Sequence, residues 1–189
     1  MRDELLGVTQ PMLSVVLDPG ESVIGEATRF AWMTDSIEMA AADETGVWVY
    51  TAAGEPGVVA FAAQRPGRII SVQVSLGDEG YLFSRSDFMA RTPGVQVRAD
   101  PAEYARKRWR IGGCGRAWVE LGGDVVRREL TAGQSLRARP EHVGMFDGTV
   151  AVQVTRVHGL PGQNGGQPCA VLSGPGVVWL QSDAAGVHT

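Results

Sequence analysis

Apolar residues alternate with other residues along a stretch running from Arg68 to Gly77 (Arg-Ile-Ile-Ser-Val-Gln-Val-Ser-Leu-Gly), where Ile70, Val72 and Val74 share one face before the chain reaches a glycine. A period of two closed by glycine predicts a half-buried β-strand running into a tight turn. The same pattern occurs twice more. Leu13, Val15 and Leu17 lead to Gly20, and Val126 and Leu130 lead to Gly133. The three glycines stand 57 and 56 residues apart. After each a return strand is expected, at Val23-Ile24, Tyr81-Leu82-Phe83 and Leu136 to Ala138, so each glycine is read as the corner of a hairpin. A compact apolar patch follows each time, at Phe30 to Met33, Phe88-Met89, and Val143 with Met145 and Phe146.

A second landmark recurs where each segment ends. Gly57, Gly115 and Gly176 open β-rich runs 58 and 61 residues apart, and Trp118 and Trp179 lie at equal offsets from their glycines. Two landmarks in the same order at near-constant spacing predict three copies of one unit, about 11–63, 68–121 and 124–182, with a tail over 183–189. Such a period exceeds that of most solenoid repeats. The expected fold is an all-β, antiparallel sandwich or prism of three internal repeats with approximate threefold symmetry, in one domain over residues 1–189. Residues 1–10 either add an edge strand or fray. The Asp100-Pro101-Ala102-Glu103 stretch has an N-cap residue followed by proline, which predicts a single helical turn. Gly159 to Pro168 reads as a flexible loop.

Composition supports the all-β reading and narrows the function. The chain has 189 residues, of which 25 are glycine and 10 proline, as many short strands joined by tight turns require. A net charge of −4 disfavours a large phosphate-binding surface. Two cysteines, Cys114 and Cys169, are too few for a disulfide framework and read as reduced thiols in or near the core. No basic-then-apolar leader opens the chain and no run nears the ~18 apolar residues that span a bilayer, so the expectation is a cytoplasmic protein without a transmembrane segment.

Candidate chemistry is sparse. Gly113-x-Gly115 and Gly174-x-Gly176 lack the third glycine and following helix of a dinucleotide site and read as strand-entry turns. His142, His158 and His188 have no metal-ligand spacing, and no Gly-x-Ser-x-Gly elbow is present. Asp35, Glu38, Asp43 and Glu44 form an acidic cluster without calcium-loop spacing, and read as solvated charges. One basic run contains an aromatic residue, Arg106-Lys107-Arg108-Trp109-Arg110. On a strand Arg106, Arg108 and Arg110 would share a face, with Lys107 and Trp109 on the other. With Arg127 and Arg128 the run makes a candidate nucleic-acid or anion patch. No catalytic, cofactor-binding or metal residue is assigned, and no cofactor is expected.

Several segments together resemble a known family. Leu17-Asp18-Pro19-Gly20-Glu21-Ser22-Val23-Ile24, Pro66-Gly67-Arg68-Ile69, Gly113-Cys114-Gly115 and the closing Gly174-Pro175-Gly176-Val177-Val178-Trp179-Leu180-Gln181-Ser182 are similar to the "altered inheritance of mitochondria" (mitochondrial biogenesis) family, over about residues 11–182. The resemblance implies an all-β sandwich similar to the tryptophan RNA-binding attenuation protein. Its bacterial members are mostly uncharacterised, and its yeast member is tied to mitochondrial inner-membrane organisation. It implies no catalytic residue. Between Ala40 and Thr51 many members have a longer glycine-rich segment than this chain, and if that segment serves assembly or partner binding, a different assembly is expected here. The functional expectation is a bacterial, non-enzymatic binding or scaffold protein that acts through protein–protein or membrane-associated contacts with an unidentified protein partner, is linked to membrane organisation, and forms homo-oligomers. An RNA- or ligand-binding module and an enzyme with a pocket at the repeat junctions are the alternatives.

Overall fold

The computed structural model describes residues 1–42, 46–102, 104, 106–157 and 166–183. Among these the regular structure is β-strand, apart from three single 3₁₀ turns. The strands are β1 (Arg2–Leu6), β2 (Met12–Leu17), β3 (Ser22–Glu26), β4 (Phe30–Met33), β5 (Ile37–Ala41), β6 (Val47–Ala52) and β7 (Gly57–Ala62). Then come β8 (Gly67–Val74), β9 (Tyr81–Phe83), β10 (Phe88–Arg91), β11 (Val95–Ala99), β12 (Trp109–Gly113) and β13 (Gly115–Gly122). The last are β14 (Val125–Leu130), β15 (Ser135–Ala138), β16 (Val143–Asp147), β17 (Ala151–Val157), β18 (Gln167–Ser173) and β19 (Gly176–Gln181). The 3₁₀ turns Ala27–Arg29, Arg85–Asp87 and Pro140–His142 precede β4, β10 and β16.

Four antiparallel sheets form, in the orders β1-β2-β7-β4, β5-β6-β3-β10-β13-β8, β11-β12-β9-β16-β19-β14 and β15-β18-β17. The N-terminal residues take the first of the two expected courses, because β1 pairs with β2 along its whole length. The expected hairpins at Gly20, Gly77 and Gly133 are corrected. Strands β2 and β3 lie in different sheets, as do β8 and β9, and β14 and β15, so each glycine turns the chain from one sheet into the next. An alternating strand ended by glycine looks the same in sequence whether the chain folds back in the plane of the sheet or crosses a core. All three glycines have positive φ (81°, 92° and 84°). At each corner the residue after the glycine returns its side chain to a backbone N–H: Glu21 to Asp18, Asp78 to Ser75, and Gln134 to Thr131.

The sheets stack with apolar cores between them. Leu13, Leu17, Tyr50, Phe61 and Trp118 belong to the first core, Val72, Val74, Phe83, Ile111 and Leu121 to the second, and Leu82, Phe146, Leu172 and Val178 to the third. Successive side chains of a strand point to opposite faces. Neighbours Leu82 and Phe83 therefore enter different cores, as do Trp118 and Val119. Strands covered on both faces read as continuous apolar runs, which is why Ala117 to Leu121 shows little alternation. Not every patterned residue is inside: Val126, at an edge of the third sheet, is exposed. At the expected helical turn, Asp100 accepts a bond from the Ala102 N–H and no regular structure is assigned over residues 100–102, while Glu103 lies outside the described residues. Most of the expected loop, residues 159–165, also lies outside them.

Candidate functional site

The basic run does not form one face. Strand β12 starts at Trp109, so residues 106–108 precede the strand and the alternation assumed for them does not hold. Arg108 is buried, donates to the carbonyl oxygens of Gly144 (2.9 Å) and Val143 (2.7 Å), and lies over the Phe146 ring. Burial lowers its pKa to about 10, so it keeps its charge at neutral pH. Arg110 is bonded to Asp100 at 2.8 Å. Trp109 is half-buried beneath Arg85. Arg106 is half-buried, and Lys107 is exposed. Arg127 and Arg128 are exposed on β14, where Arg127 pairs with Glu129 and lies over Trp179.

Elsewhere a buried charge cluster sits where the first two expected units meet. Arg29, at the end of its 3₁₀ turn, forms an ion pair with Glu120 of β13 and donates to the Ser86 carbonyl oxygen. Glu120 also accepts the backbone N–H groups of Gln64 (2.9 Å) and Arg65 (3.1 Å). The Arg65 guanidinium reaches Asp87, at the end of the next 3₁₀ turn, at 2.8 Å. Burial raises the Asp87 carboxyl to about 6, with Arg65 and Arg108 opposing and Glu120 reinforcing the shift. Glu120 is held by arginine and peptide donors and Asp87 by Arg65 and the Ser86 hydroxyl, which suits the joining of elements more than proton transfer. Sequence reasoning missed this cluster. The available signal was Glu120 itself, a lone charge in an apolar run.

The other candidate residues are dispersed. His142 Nδ1 is 2.9 Å from the Gln181 carbonyl oxygen, while His158 and His188 lie outside the described residues. Asp35 and Glu38 are exposed, and Asp43 and Glu44 lie outside the described residues. Cys114 is exposed and Cys169 half-buried, both as free thiols. Among the described residues no group of three His, Cys, Asp or Glu side chains could hold a metal ion, and no helix is long and apolar enough to cross a membrane.

The surface feature that stands out is apolar. Strand β4 is an edge of the first sheet, and its Phe30 and Trp32 are 36% and 42% exposed. Phe30 stacks on Tyr50, whose hydroxyl is buried without a hydrogen-bond partner and whose pKa burial pushes up to about 12.

An all-β stack of shared antiparallel sheets thus carries an uncovered aromatic edge and a buried ionic joint. The fold matches the crystal structure of protein SPYM3_0169 from Streptococcus pyogenes with a TM-score of 0.79 at 14% identity, covering 97% of this chain and 94% of that one. The family model described as mitochondrial biogenesis AIM24 matches residues 4–183, and the chain belongs to the AIM24 family. The comparison with curated proteins gave no match.

Proposed function

We propose that this protein is a non-enzymatic scaffold built from three copies of one β-unit (11–63, 68–121 and 124–182) within a single domain, acting through protein–protein contacts. Strand pairing supports the repeat. The orders β2-β7-β4, β8-β13-β10 and β14-β19-β16 correspond, as do β3-β6-β5, β9-β12-β11 and β15-β18-β17. Register shifts fall at matching places, between Phe30 and Trp32, Phe88 and Ala90, and Val143 and Met145.

The observation that carries the scaffold role is the exposure of Phe30 and Trp32. Their positional counterparts Phe88 and Ala90, and Val143 and Met145, are buried at 0–4% exposure. An aromatic edge left open where its counterparts are covered is suited to receiving another polypeptide strand. The family description, mitochondrial biogenesis, names no reaction.

Affinity capture of the tagged full chain from its own cells tests this reading. Wild-type protein should retain a partner set that Trp32→Lys loses. Identical sets from both would count against it.

A further inference from the structure

Two of the three places where a unit can join its neighbour are occupied within the chain. Strand β10 pairs with β3, placing Ala90 opposite Gly25 and Arg91 opposite Ile24. Strand β16 pairs with β9, placing Met145 opposite Phe83 and Phe146 opposite Leu82. Counting outward from the 3₁₀ turns, Ala90 corresponds to Met145, and Gly25 to Phe83, so the two junctions have one register. The strands left over are β4, the first unit's counterpart of β10 and β16, and β15, the third unit's counterpart of β3 and β9. Each is an edge of its sheet. The remaining edges are of another kind. Strands β5, β11 and β17 are edges in all three units, and β8 and β14 present the side that β1 covers on β2.

We infer that β4 of one copy pairs antiparallel with β15 of a second copy, continuing the internal junction between chains, with Trp32 opposite Ala138 and Met33 opposite Arg137. The inference rests on the scaffold reading and names its first partner as the chain itself. Pairing would cover Phe30 and Trp32 as Phe88 and Ala90 are covered, and would satisfy the outward peptide groups of both edges. A small residue, Ala138, leaves room opposite the Trp32 indole, as Gly25 faces Ala90 in the internal junction. The contact uses different surfaces on the two copies. A pair of copies keeps one free β4 and one free β15, so the assembly closes as a ring or grows.

Cysteine cross-linking of purified protein in a Cys114→Ser, Cys169→Ser background provides the test. Directly opposed residues of antiparallel strands have Cα atoms roughly 4.5–5.5 Å apart, within disulfide reach. A Trp32→Cys chain mixed with an Ala138→Cys chain should link under mild oxidation, and neither should link to itself. Sedimentation of the unmodified protein should show mass rising with concentration, and Trp32→Lys should return it to a single chain with its circular dichroism unchanged. Three results would overturn the inference: a single chain at every concentration, Trp32→Cys chains linked to one another, or a Trp32→Cys, Ala138→Cys double variant linked within one chain. If purified protein stays single while cellular capture still depends on Trp32, self-pairing fails and the scaffold reading stands.

Discussion

Arg29 and Glu120, 91 residues apart, form an ion pair with side chains 4% and 1% exposed. Removing one member leaves the other charge buried and uncompensated, at a cost of roughly 3–5 kcal/mol. Arg29→Met should lower stability by about that amount in guanidinium unfolding. Glu120→Gln should cost a comparable amount, because it leaves Arg29 uncompensated and keeps only one of the two oxygens that separately accept the Gln64 and Arg65 N–H groups. Equal stability of Arg29→Met and wild type would show that the pair does not hold the Arg29 turn to β13.

Asp87 gives a pH signature. Its carboxyl titrates at about 6 in the folded protein against 3.8 for the ordinary group. Between these values the unfolded chain has released the proton that the folded chain retains, so this group's contribution to stability falls as pH rises from about 4 to 6. The full loss is on the order of 3 kcal/mol. Unfolding midpoints of wild type and Asp87→Asn, compared across that window, should differ by an amount that changes with pH. A constant difference would contradict the assignment.

Gly20, Gly77 and Gly133 share a left-handed backbone, and an added Cβ would meet no atom within 4 Å at any of them. The penalty for alanine is therefore conformational, about 1–2 kcal/mol. It should be alike at all three corners when measured by thermal unfolding, and smaller for asparagine. Widely different costs would argue against equivalent corners.

The basic run contains both buried and exposed members. Arg108→Met leaves the carbonyl oxygens of Val143 and Gly144 without their donor and should cost roughly 1–3 kcal/mol. Lys107→Ala should stay within about 0.5 kcal/mol of wild type. Chemical denaturation of the two variants separates them; equal effects would contradict the division.

These sites also show what a single sequence carries. The period-two alternation of Leu13, Val15 and Leu17 and the spacing of the glycines were legible, because strand periodicity and positive φ are local requirements. Whether Gly20 turns within one sheet or between two was not, since both need the same local pattern. The Arg106–Arg110 run misled because an alternating face presupposes a strand, and β12 begins only at Trp109. The pairing of Arg29 with Glu120 depends on which segments abut, which no local pattern encodes.

The second and third sheets each take three strands from one segment and three from the next. No third of the molecule can come loose by itself, because its departure would tear a neighbour's sheet in half. Melting should accordingly be a single event, with calorimetric and van't Hoff enthalpies in agreement. The stepwise fraying of loosely coupled repeat arrays would be absent, and damage to any one segment would be felt by the whole molecule.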